Sequence, residues 1–318
     1  MGPMERIDMR IALVLTPMSD HHLRLAAQVG VTDIVTRYPG PEPEALLRVH
    51  DRVASFGLKL SIVEGLIPHN HIVHGTAGRD AQIAEFQRLL HDMGKTGVPI
   101  CCYNWMPDDD WSRTSFTLPD RGGALVSGFD ASLLRDAPTP RSGAIEERTL
   151  WTNLEYFLKR VAPVAEDAGV KLALHPDDPP MSPLRGQARI MRDIAAFERM
   201  LELTPTPANG VCFCQGTFAS AGEDIPSGIR RLGPHIHYVH FRDVTGTVPN
   251  FRETFHDNGK TDMVQAMRLY REIGFTGPMR PDHVPILDGE PHDDPGYTML
   301  GRLFAVGYMR GLIQAAHQ

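Results

Sequence analysis

Cysteine is scarce in this chain: four residues, Cys101, Cys102, Cys212 and Cys214, stand among 318. So few cannot form a disulfide framework for a protein of this length, and they read as thiols. Long apolar runs are missing as well, since no stretch approaches the roughly 20 uninterrupted residues of a membrane helix. Basic clusters are absent too: 32 Lys and Arg are dispersed among 39 Asp and Glu, giving a formal charge of −7. A nucleic-acid backbone would find no electrostatic footprint there. The opening MGPMER carries neither a charged-then-apolar leader nor the Ser/Thr that an acylation signal holds at its sixth position. These absences predict a cytoplasmic protein with no membrane and no nucleic acid among its partners.

What the chain does have is a regular alternation of short β-type runs and longer helical ones. RIALVL (10–15), DIVTRY (33–38), LKLSIVEG (58–65), PICCYNW (99–105), KLALH (171–175), GVCFC (210–214), HIHYVHFRDV (235–244) and GPMRPD (277–282) each precede a helical segment. Several of those helices end in glycine just before the next strand, the usual stop signal. Eight β–α units in a chain this long, with 42% hydrophobic residues to fill a core, predict a single α/β domain over 1–318, a closed (β/α)8 TIM barrel. The rival is an open doubly wound sheet, which would carry a glycine-rich phosphate turn after its first strand; LVLTPMSDHH has none. Residues 107–147, rich in Asp, Gly, Pro and Ser, read as a long loop over the top face after the fourth strand, a lid or an oligomer contact.

In such barrels the chemistry sits at the C-terminal ends of the strands. Those ends are polar here: Glu64, with His69 and His71 in the loop that follows; Asn104; His175; Cys214; His240 and Arg242; then Arg280-Pro281-Asp282-His283. Period-two alternation points Ala173 and His175 toward the axis and Leu172 and Leu174 toward the helices. It groups Tyr238, His240 and Arg242 on one face, and sends Cys212 and Cys214 inward together, with Cys212 the deeper core residue. A single inward histidine is commonly structural, and a single cysteine near a core is usually packing. Four ligand-type residues at four successive strand ends are not explained that way, and His175, Cys214, His240 and Asp282 predict a divalent-metal cage. The prolines of HPDDPP would hold the following loop so that Asp177 or Asp178 orients ligands or touches substrate. Glu64 faces substrate or pairs with arginine. The histidines at 21, 22, 91 and 317 lie in helical or terminal context and read as solvated.

The chain resembles the mannonate dehydratase family, within the xylose-isomerase-like group of barrels, along nearly its whole length. The resemblance is carried by CYNWMPDDDWSRT (102–114), HPDDPP (175–180), GQARI (186–190), CQGT (214–217), VHFRDV (239–244), FHDNGKTDM (255–263), RPDH (280–283) and GYTMLGRLFAVGYMRGL (296–312). It implies a hydro-lyase that converts D-mannonate to 2-keto-3-deoxy-D-gluconate in hexuronate catabolism, with His283 and Tyr297 as the acid/base pair. It implies Mn²⁺ on His175, Cys214, His240 and Asp282, although a thiolate ligand also suits Zn²⁺ or Fe²⁺. Asn104, His69 and Glu64, with Asp177 and the arginines 113, 189 and 242, become candidate contacts to the sugar acid. EGLIPHNHIVHG (64–75) keeps His69 but lacks the acid and lysine expected just after it, and the segment after DWSRT is shorter than in the family. Two alternatives stand beside this reading: a sugar or sugar-acid isomerase or epimerase using the same metal, and a non-catalytic barrel that binds sugar acid. The family and the semi-apolar last helix imply a homo-oligomer, a dimer or higher.

Overall fold

The structure, a computed structural model, describes residues 9–42, 44–108 and 111–317. The opening MGPMER and Asp109–Asp110 of the DDDW stretch lie outside the described residues. The first half runs β1 (Arg10–Val14), α1 (Asp20–Gln28), β2 (Asp33–Thr36), α2 (Ala45–Ala54), β3 (Lys59–Glu64), α3 (Asn70–His74), α4 (Arg79–Thr96), β4 (Ile100–Tyr103), β5 (Ser115–Pro119), β6 (Leu125–Asp130) and α5 (Glu147–Asp167). The second runs β7 (Lys171–Leu174), α6 (Ile194–Leu203), β8 (Val211–Cys214), α7 (Gln215–Ala221), α8 (Ile225–Leu232), β9 (Ile236–Phe241), β10 (Val244–Thr247), β11 (Asn250–Glu253), α9 (Met263–Glu272), β12 (Pro278–Pro281) and α10 (Met299–Ala316).

Eight parallel strands close in the order β1-β12-β9-β8-β7-β4-β3-β2, so the expected TIM barrel is the fold. Its helices start and stop where local chemistry directs. Asp193, Asp224 and Asp262 cap α6, α8 and α9 by accepting backbone N–H groups of the first turn. Gly97 after α4 takes φ +77°, a left-handed turn that frees the chain to enter β4. Strand alternation then sorts the core. Leu172, Leu174, Val239 and Phe241 pack outward against the helices, while Ala173, Cys102, Cys212 and Tyr238 fill the barrel axis.

Two features depart from expectation. Residues 107–147 do not form an irregular loop, because β5 and β6 pair antiparallel there and β6 pairs in turn with β11. With β10 they make a four-stranded sheet in the order β10-β11-β6-β5, outside the barrel. Its strands are short and interrupted by Gly, Pro and Asp, and its two hairpins, β5–β6 and β10–β11, join through β6 and β11 across more than 100 residues of sequence, so no local period announces the sheet. The second feature is α7, which starts at Gln215 directly after the last residue of β8 and adds a helix to the sixth unit.

Candidate active site

Register does the first sorting. His240 of β9 is the Cα partner of Cys214 on β8 and of Arg280 on β12, and partners in parallel strands project to the same face. All three therefore point into the barrel near its mouth. His175 follows the last residue of β7, and Asp282 follows the last residue of β12. The ligand atoms of His175, Cys214, His240 and Asp282 lie within 4.8 Å of one another. His175 Nε2 is 3.1 Å from His240 Nδ1, which is 3.6 Å from Asp282 Oδ2; Cys214 Sγ is 3.9 Å from that same oxygen.

Hydrogen bonds on the far sides of the imidazoles bear on what this group can hold. His175 Nδ1 is 2.7 Å from the Pro176 carbonyl, which only accepts, so Nδ1 carries the proton and Nε2 the lone pair. His240 Nε2 lies 3.3 Å from Glu64 Oε2 and 3.2 Å from the donating Arg280 Nε, so its partners accommodate either tautomer. Two imidazole nitrogens 3.1 Å apart, with a thiol and a carboxylate beside them, form a donor set that divalent metals accept.

Charges around this cluster are paired. Glu64 accepts from Arg280 NH2 at 2.7 Å and from the Tyr238 hydroxyl at 3.0 Å, with Arg37 alongside. Burial pushes Glu64 upward, but Arg280, His240 and Arg37 outweigh it and hold its carboxyl well below the usual range. Asp282 is lowered in the same way: burial opposes ionisation, and Arg280, His283 and His240 overcome it. Burial raises the Tyr297 phenol and Asp282 adds to it, while Arg37 and Arg280 pull the other way.

A small cavity of about 40 Å³, open to solvent, sits over this cluster. His283 and Tyr297 both line it, with ring centroids 5.7 Å apart, as do Glu64, Asn104, Arg37, Asp178 and Trp111. His283 takes φ +42°, a backbone conformation seldom adopted outside glycine, which marks a constrained residue. Trp111 lies against its ring at 4.4 Å and 32°.

Other candidates fall elsewhere. His69 sits between the carbonyls of Ile67 and Met106 in an adjoining groove that shares Tyr103 and Asn104 with the cavity. Asp177 does not face the cavity: its Oδ2 accepts the backbone N–H of Met191 at 2.9 Å, and the acid that faces the site is Asp178. Buried Arg189 lies outside the lining too. Arg113 and Arg242 stand behind the cavity wall with their guanidiniums engaged. Arg113 grips both oxygens of Asp178 at 2.7 and 2.8 Å and also bonds Glu253. Arg242 reaches Asp282, Glu253, Asp178 and Thr217, each at 2.8–2.9 Å. Neither has a face turned to the cavity, so they hold carboxylates in place.

The guanidiniums that do line the cavity are Arg37 and Arg280. Arg37 follows the last residue of β2, so the strand-end rule applied to that unit would have found it. Trp111, within CYNWMPDDDWSRT, carries no ligand or acid/base chemistry that would single it out in sequence. Glu253, on a strand outside the barrel, had no sequence signal.

Known proteins resemble this chain along most of its length. A profile described as D-mannonate dehydratase (UxuA) matches residues 17–142 and 139–318. The chain is 33% identical over 304 residues to Mannonate dehydratase 2 of Halalkalibacterium halodurans, covering 86% of this chain and 87% of that protein. It is 34% identical over 312 residues to a mannonate dehydratase of Thermotoga maritima, covering 86% and 85%. The crystal structure of mannonate dehydratase from Streptococcus suis serotype 2 superposes with a TM-score of 0.89 at 31% identity, covering 97% of this chain and 93% of that one. A xylose isomerase-like TIM barrel protein of Mycobacterium smegmatis, at 14% identity and TM-score 0.62, shares the fold alone.

Proposed function

The chain belongs to the mannonate dehydratase family and is a sugar-acid dehydratase, a hydro-lyase, and from that premise we propose that its substrate is D-mannonate and its product 2-keto-3-deoxy-D-gluconate. One observation carries the site assignment: four ligand-type atoms within 4.8 Å of one another, beneath a cavity that His283 and Tyr297 also line. The cation is Mn²⁺, with Fe²⁺ and Zn²⁺ the alternatives its thiolate ligand allows. A homo-oligomer working in the cytoplasm on hexuronate-derived acids completes the reading.

The reaction removes a proton from C2, which lies beside a carboxylate and is only weakly acidic, and expels the hydroxyl from C3. His175, Cys214, His240 and Asp282 would hold a divalent cation, which would supply Lewis acidity at the acid end of the substrate. One of His283 and Tyr297 takes the C2 proton, and the C–H electron pair becomes the C2–C3 double bond. The other protonates the C3 oxygen as its bond to carbon breaks, and water leaves; each transfer is typically worth 10²–10⁴-fold. The resulting enol tautomerises to the ketone at C2. Arg37 presents its guanidinium to substrate oxygens, Arg280 holds Glu64 and Asp282 in place beside the cavity, and Trp111 forms one wall.

The test is incubation of metal-loaded protein with D-mannonate and related aldonates, followed by assay for 2-keto-3-deoxy acid. Product from D-mannonate is the expected result, and no product from any aldonate overturns the proposal. Deuterium uptake from solvent into recovered substrate without keto-deoxy acid would assign the chain an isomerase or epimerase chemistry instead.

A further inference from the structure

Glu253 lies on β11, in the sheet outside the barrel, yet its carboxylate reaches the catalytic candidate on the rim of β12: Oε1 is 3.0 Å from His283 Nδ1. We infer that Glu253 is the positioning residue of the reaction, fixing the tautomer and aim of His283; this rests on the reading of His283 as an acid/base group. A carboxylate at that distance accepts, so Nδ1 carries the hydrogen and the lone pair belongs to Nε2. The neighbouring Arg113 NH2, 3.4 Å from Nδ1, does not compete for the role. Its two hydrogens are spent on Asp178 Oδ2 and Glu253 Oε1.

Glu253 is itself immobilised. Its Oε2 accepts from Arg242 NH1 at 2.9 Å, and its side chain is 2% exposed. The strand that carries it is paired on both sides, to β10 through Val244↔Glu253 and to β6 through Phe251↔Phe129. His283 is thus held on its edge by the carboxylate and on its face by Trp111. Nε2, 3.8 Å from Asp282 Oδ1, is the nitrogen left to exchange a proton with substrate. A sheet that looks peripheral in the fold therefore sets the orientation of a group in the barrel.

A double-mutant cycle on the metal-loaded enzyme with D-mannonate tests this, using wild type, Glu253→Gln, His283→Ala and the pair. In the wild-type background Glu253→Gln is expected to lower kcat by about 10²–10⁴-fold, as loss of an orienting carboxylate does elsewhere, with KM and bound metal little changed. In the His283→Ala background the same change should lower kcat by less than about twofold. Multiplicative loss in the double variant, or an unchanged kcat in Glu253→Gln, overturns the inference. Should Glu253→Gln not fold, Glu253→Asp carries the same cycle, since it keeps the charge that Arg113 and Arg242 need while drawing the oxygen back from Nδ1. Wild-type kcat in His283→Ala is a separate outcome that removes the catalytic reading of His283, and the positioning inference with it.

Discussion

His175 and His240 face each other across 3.1 Å, nitrogen to nitrogen, each with its other nitrogen turned to an oxygen acceptor. With Cys214 and Asp282 beside them, the two nitrogens belong to a donor set that one divalent cation can share.

Cation content should therefore depend on the members of this four-residue cluster. His175→Ala and Asp282→Asn are each expected to lower bound Mn²⁺ well below one per chain by elemental analysis, with loss of dehydration. Because the cation binds the folded site, adding it at 100 times its Kd should raise wild-type stability by about 2.7 kcal/mol and leave these variants unmoved. Unchanged metal content in both would remove the four-residue cage.

Tyr297→Phe deletes one hydroxyl from a cavity wall and little else. Its kcat should fall by about 10²–10⁴-fold with bound metal and thermal midpoint close to wild type. A drop in metal content instead would assign Tyr297 a structural role.

Glu64 is the partner that makes Arg280 tolerable inside the barrel, at 2.7 Å with side-chain exposures of 9% and 2%. Glu64→Ala strands that guanidinium and should cost about 3–5 kcal/mol in urea unfolding. A cost below about 1 kcal/mol would show that Asp282, the other carboxylate on Arg280, suffices.

His237, on the outer face of β9, donates its Nδ1–H to the Leu172 carbonyl at 2.7 Å. Burial, with Lys171 and His235 adding to it, pushes its pKa from 6.5 down to about 4, against the pull of that hydrogen bond. Folded below unfolded means that the unfolded chain takes the proton first. Stability is therefore full above pH 6.5 and falls as pH drops toward 4, by about 3 kcal/mol at most from this residue. His237→Gln should flatten that limb of the stability profile; an unchanged profile would mean that other groups govern acid unfolding.

Sequence and structure agree where local rules suffice. The alternation in KLALH sends Leu172 and Leu174 outward and Ala173 inward, and the same period brings Cys214 and His240 to one face. Rigid strands carry this information residue by residue, which is why the convergence of His175, Cys214, His240 and Asp282 was legible. Asp177 and Asp178 were not separable, because they follow the strand in a loop, where no fixed period says which carboxylate turns inward. The arginines at 113 and 242 read as substrate contacts on charge alone, and only the three-dimensional pairing shows their donors spent on buried acids. The Glu253–His283 contact joins residues 30 apart through a sheet whose other half comes from 107–147, beyond the reach of any local pattern.

That sheet has a consequence for remodelling the enzyme. Its halves come from different insertions, one after β4 and one after β9, joined by the pairing of Asn250, Phe251 and Arg252 with Asp130, Phe129 and Gly128. Exchanging either insertion alone with a relative would leave an unmatched ribbon edge and a displaced Glu253. The two must be transplanted together, and drift in one is tolerable only with compensating drift in the other.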